Sequence, residues 1–189
     1  MKRTITIVVL ISLACLIAAG GTVAWLMDDE EAVNTFAIGR IDIKLTEPSW
    51  PNSDALQKLY PGAVIGKDPT VTVEANSENC FVYVMIENEL NSAIPNAVSL
   101  DVDTAHWDLI KTFGNRSLYC YHSKIETATS PSVLEKVFTH VSVDDTAVTE
   151  ANISLLHGKT IKVQAYAHQS EAIEQNEVAQ KAIAFFSMT

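Results

Sequence analysis

Apolar and polar positions follow three different rules along this chain. Thr4 to Met27 carries no charge for 24 residues, with Lys2 and Arg3 before it and Asp28-Asp29-Glu30-Glu31 after it. From Thr35 to His168 apolar residues come in short runs, most of them at every second position, the period of a strand with one buried face. From Glu171 to Phe186, Ile173, Val178, Ala182, Ile183 and Phe186 approximate helical spacing.

The middle region sets the fold class. Thr35 to Leu45 alternates with one change of phase: Phe36 and Ile38 share a face, and Ile41, Ile43 and Leu45 follow on the other unless a bulge at Gly39-Arg40 brings both sets to one core. Pro48 and Pro51 make Glu47 to Tyr60 a connection. Ala63 to Lys67 and Thr70 to Ala75 read as short strands around Asp68-Pro69. Cys80 to Glu87 is apolar on both faces and predicts a central strand covered on both sides. Asn88 to Thr104 reads as a long polar loop. Strands are predicted at His106 to Phe113, Ser117 to Lys124 and Lys136 to Val143. The last, Lys159 to His168, points Ile161, Val163, Ala165 and Ala167 inward. About eight or nine strands separated by turn signals indicate an all-β fold, a β-sandwich of jelly-roll-like connection, closed by a short C-terminal helix.

The charge-free N-terminal run has the form of an export signal, a basic start followed by an apolar helix. Gly20-Gly21 breaks that helix. Thr22 and Ala24 then stand three and one residues before a candidate cleavage bond, with Trp25 beginning the mature chain. The expected organisation is a signal peptide over residues 1–24, an acidic arm over 25–34 and a β-sandwich domain over 35–189. The run also exceeds the ~20 residues that cross a bilayer, so a retained anchor is the alternative. Either way the remainder is placed outside the cell, with membrane attachment only through the N-terminal segment. Cys15 reads as a small apolar residue of the signal.

Charge sharpens the picture. The chain has 13 basic and 23 acidic residues, a net charge of −10, and loss of the signal removes Lys2 and Arg3 but no acid. Such a surface excludes nucleic acid as a partner and disfavours anionic lipid. Cys80 and Cys120 lie in strand-like runs of an exported chain, where either a disulfide or two buried thiols are open.

The ordered motifs resemble a known family. Ala24-Trp25 is followed by Asn34, Phe36, Gly39, Ile41, Ile43, Leu45 and Glu47 at fixed offsets, then Pro61-Gly62 with Ile65, Lys67-Asp68-Pro69, Val71 and Val73. Phe81-Val82-Tyr83-Val84 and Ala165-Tyr166-Ala167 with Gln169 complete the set. This series is similar to the TasA/camelysin family of Gram-positive bacteria, exported through a SipW-type signal peptidase. The resemblance is strong over about the first 90 residues and loose beyond Asn88. Ala75, Cys80 and His168 depart from the family pattern. It implies a secreted jelly-roll-like subunit of an extracellular fibre or biofilm matrix, partnered by itself or by related matrix subunits. Assembly would follow signal cleavage, the N-terminal strand with Phe36, Ile38, Ile41, Ile43 and Leu45 adding to a neighbour's sheet edge. The alternatives are an intramolecular edge strand in a monomeric cell-surface binding domain, and a camelysin-type secreted metallopeptidase.

The residues give little support to catalysis. There is no H-E-x-x-H, and His106, His122, His140, His157 and His168 are scattered singly, so they read as surface or satisfied histidines. No G-x-S-x-G elbow occurs. Asp101-Val102-Asp103 and Asp144-Asp145 read as solvated turns, with loose calcium or zinc the only metals open to the chain and no cofactor expected. Trp50, Trp107, Tyr119 and Tyr121 read as packing residues in preference to a glycan platform. The end of the chain has no L-P-x-T-G-type sorting motif.

Overall fold

The computed structural model describes residues 40–48, 59–171 and 173–187, all within the compact unit Gly39–Thr189. The expected signal segment, its cleavage residues Thr22, Ala24 and Trp25, the acidic arm, and Phe36, Ile38 and Gly39 lie outside the described residues.

The described residues of this unit are all-β with two helices and one 3-10 turn. Its centre is β4 (Cys80–Asn88), hydrogen-bonded on one side to β10 (Ile161–Gln169) over nine residue pairs and on the other to β7 (Arg116–Tyr121). β6 (Trp107–Phe113) completes this four-stranded antiparallel sheet as an edge. Gly114 turns the β6–β7 hairpin at φ 59°, a conformation glycine adopts without cost.

The other strands are short because their ladder is interrupted. β1 (Ile43–Thr46) pairs with β3 (Thr70–Val73), and β3 pairs with β8 (Ser132–Val133). β2 (Val64–Gly66) pairs with β9 (His140–Val143), which pairs with β5 (Val98–Leu100). Backbone bonds from Lys67 to Thr139, Val137 to Pro69 and Leu134 to Val71 span the gap between the two sets. The segments 64–73 and 132–143 therefore form one broken antiparallel pair, slipped by one residue near Glu135-Lys136. Pro69 explains the break, since it has no N–H to donate and holds Asp68 extended. The side chains there are nonetheless buried: Lys67 meets Glu47 at 2.5 Å and Asp68 meets Lys136 at 3.1 Å.

Alternation along β4 then builds two cores. Cys80, Val82, Val84 and Ile86 face Val71, Val73, Val141 and Val143 of the broken ladder and Val98 of β5, with Trp107 and Phe138 in the same cluster. Tyr83 and Met85 face the opposite way, with Leu118 and Cys120, under helix α2 (Gln175–Ser187) through Val178, Ala182 and Phe186. Each large side chain so buried contributes about 1.5–3 kcal/mol. A strand apolar on both faces is what this arrangement requires, as its sequence indicates.

Helix α2 begins four residues later than the spacing suggests. Arg116 donates from its guanidinium to the carbonyl of Phe186 in the last turn, where a cation complements the helix dipole. The expected loop Asn88 to Thr104 instead holds helix α1 (Glu89–Ala93), capped by Asn88, and strand β5. Lys136 to Val143 is not one regular strand: consecutive Val137 and Phe138 are both fully buried in the ladder's break.

Candidate functional site

The chain enters the domain at a sheet edge. Ile41, Ile43 and Leu45 all pack against the main core, so they share one face as the pattern of every second residue requires. Upstream of β1 the backbone is stitched down further. Glu74 donates to the Asp42 carbonyl at 2.9 Å, Glu78 donates to the Arg40 carbonyl at 2.9 Å, and Asp42 N–H reaches Ser77 Oγ at 3.2 Å. Ile43 and Leu45 are thus committed within their own chain, paired with Val73 and Val71. Of the strand proposed for donation, only Phe36 and Ile38 lie upstream of this stitched segment.

Cys80 and Cys120 are free thiols, both fully buried. Cys120 pairs with Tyr83, so it points to the helix side, whereas Cys80 belongs to the main core. The sheet itself separates the two sulfurs, which sets the disulfide alternative aside in favour of two buried thiols. Burial pushes the Cys80 thiol up to about 11 and raises Cys120 as well.

The histidines are distributed rather than gathered. His106 Nδ1 lies 2.7 Å from Asp103, and its ring stacks on Tyr121, whose hydroxyl donates to Glu135. The Asp103 hydrogen bond holds His106 above its usual value, against partial burial. His122 pairs with Asp108 at 3.0 Å, His140 with Asp101 at 3.4 Å, and His168 lies 3.3 Å from Lys181. The three histidines that strand neighbourhood could have joined, His122, His140 and His168, therefore stand at separate places with separate partners. Among the described residues no group of three His, Cys, Asp or Glu side chains is placed to hold a metal ion.

Asp101 and Asp144 fix turns. Asp101 accepts from Thr139 and His140, and Asp144 Oδ1 accepts from Thr146 and Ala147. Trp107 is buried and donates its indole N–H to the Glu135 carbonyl at 3.1 Å, with Tyr121 edge-on at 5.1 Å. Glu135 was missed by sequence reasoning. It sits in the ladder's slip, a position without periodicity. Among the described residues no helix is long and apolar enough to cross a membrane. No family model, curated protein or solved structure matches the chain.

Proposed function

We propose that this chain is an exported structural subunit that assembles outside the cell into a fibre or matrix, by addition of its N-terminal segment to the sheet of a neighbour after cleavage at Ala24. The observation that carries the reading is the position of β1, a four-residue strand that among the described residues stands at a sheet edge and pairs with β3 alone, and that follows the charge-flanked N-terminal segment in the chain. A segment leaving a domain at a sheet edge can continue as a strand on another copy with little rearrangement. Because Arg40 to Thr46 is held in its own chain, the donated part is the segment upstream, with Phe36 and Ile38 as its apolar residues.

The connections favour a jelly-roll-like topology. β4 pairs with β10, and 64–73 pairs with 132–143, so long crossings join the two layers instead of successive hairpins. The resemblance to the TasA/camelysin family supports the same reading through its motifs, with a SipW-type peptidase as the processing partner.

N-terminal sequencing of the extracellular protein, with electron microscopy of the same material, tests the proposal. A start at Trp25 and fibres are expected. Material that stays monomeric at every concentration and pH overturns assembly, and a retained Met1 overturns cleavage as its trigger.

A further inference from the structure

Between the two layers, at the β5 edge, a cavity of about 270 Å³ opens to solvent. Its volume equals roughly nine waters at their share of the liquid. Ile86, Val98, Leu100 and Val102 form its apolar wall, while Asn88, Asn115, Ser117 and Tyr119 contribute amides and hydroxyls. Gly114 leaves the rim open: a Cβ there would meet no atom within 4 Å.

The walls are tied before any ligand arrives. Asn91 donates its amide to the Val98 carbonyl at 3.0 Å and accepts from Val98 N–H at 2.8 Å, fastening β5 to helix α1. Asn88 caps that helix by accepting from Asn91 N–H at 3.1 Å, and its own N–H donates to the Asn115 carbonyl at 2.8 Å. Two strands, a helix and a hairpin turn are thereby locked around one space, the preformed character that small-ligand sites have.

Charge and hydrogen-bonding capacity select the ligand. In a chain of net charge −10, none of the ten lining residues is ionisable in the carboxylate, ammonium or guanidinium sense. The Asn115 side chain makes no hydrogen bond among the described residues. Burial raises the phenol of Tyr119, so it stays a protonated hydroxyl. Amides and hydroxyls each donate and accept, which matches hydroxyl groups that do the same, and the aliphatic wall suits the C–H face of a saturated ring. Ionic ligands would find no counter-charge, and purely apolar ones would leave the Asn115 amide without a partner.

We infer that this inter-sheet cavity binds one neutral sugar residue, free or terminal on a polysaccharide. The inference is independent of assembly, since every wall comes from a single folded chain.

The full chain, held in a detergent without a sugar headgroup, is titrated with glucose, galactose, mannose and N-acetylglucosamine, with glucuronic acid as the charged control. Saturation-transfer NMR reads binding. At least one neutral sugar is expected to bind with Kd on the order of 1 mM, more tightly than glucuronic acid. Asn115→Ala should weaken it about three- to ten-fold, the value of one lost hydrogen bond, and Val102→Trp, which fills the cavity, should abolish it. Thermal unfolding shows which variants fold; if Val102→Trp does not, Asn115→Ala alone decides. The inference is overturned if no neutral sugar binds, if glucuronic acid binds as well, or if binding is unchanged in the folded variants.

Discussion

Asp101 and Thr139 are joined at two points: Asp101 Oδ1 accepts the Thr139 N–H at 2.8 Å, and Oδ2 accepts the Thr139 hydroxyl. The same Oδ1 also accepts the His140 N–H at 2.6 Å. One side chain after β5 thus fixes the start of β9, the strand where the broken ladder resumes. Partial burial works against ionisation of Asp101, yet these hydrogen bonds outweigh it and hold the carboxyl down at about 2.

Removing this carboxylate should loosen the ladder. Hydrogen bonds to a charged acceptor contribute about 1.5–3 kcal/mol when shielded, and exposure of the site places Asp101→Ala at the lower end. Asp101→Asn keeps one carbonyl acceptor and should cost less. The pH dependence follows from the depressed value: the stabilisation is complete above the ordinary carboxylate range near 4 and is lost as pH falls toward 2. Urea unfolding of both variants at pH 7 and pH 3 checks the order, and equal stability of Asp101→Ala and the parent at pH 7 would refute it.

The two thiols report separately on the two cores. Both should resist iodoacetamide in the native chain and react after denaturation, because burial disfavours the thiolate that attacks. Phe186 is fully buried under the helix side, so Phe186→Ala should cost about 3–5 kcal/mol. That variant should expose Cys120, which accepts a contact from Gln175 at 3.5 Å, well before Cys80. Pulsed alkylation with peptide mapping reads each site, and parallel labelling of both would show that helix and sheet open together.

Trp107 secures the slip in the ladder from the opposite sheet, through its bond to the Glu135 carbonyl. Trp107→Phe keeps an aromatic ring but removes that donor, and loss of this part-buried bond to the Glu135 carbonyl should cost about 0.5–1.5 kcal/mol. Trp107→Ala should cost about 3–5 kcal/mol. Equilibrium unfolding distinguishes them, and equal losses would mean that ring volume, not the indole N–H, matters.

Periodicity could be read where one rule held over many residues. Cys80 to Glu87 showed apolar side chains on both faces, and two cores with a helix on one side are the structural counterpart. Ile161, Val163, Ala165 and Ala167 alternated and all pack toward the main core. β5, with three residues, is too short for a period to emerge, and helix α1 is a single capped turn. Val137 and Phe138 broke alternation because the ladder slips there. The cavity was illegible for another reason: Asn88, Asn115 and Ser117 are ordinary turn and strand residues until tertiary pairing gathers them. Tyr119 packs against the main core as expected and also lines the space, which Trp107 and Tyr121 do not, while Trp50 lies outside the described residues.

His106 ties these ideas to pH. Its hydrogen bond to Asp103 raises the imidazole above the usual value near 6.5, while the same bond lowers Asp103 and the Tyr121 hydroxyl lowers Glu135. The histidine's contribution is therefore complete below its ordinary range and lost as pH rises through the raised value. The carboxylates' contributions are complete above their ordinary range and lost as pH falls. The cluster should be tightest between about pH 5 and 6.5. Asp103→Asn should lower the His106 midpoint followed by NMR and flatten the loss of stability between pH 6 and 9. An unmoved His106 midpoint would show that solvent, not Asp103, sets its charge.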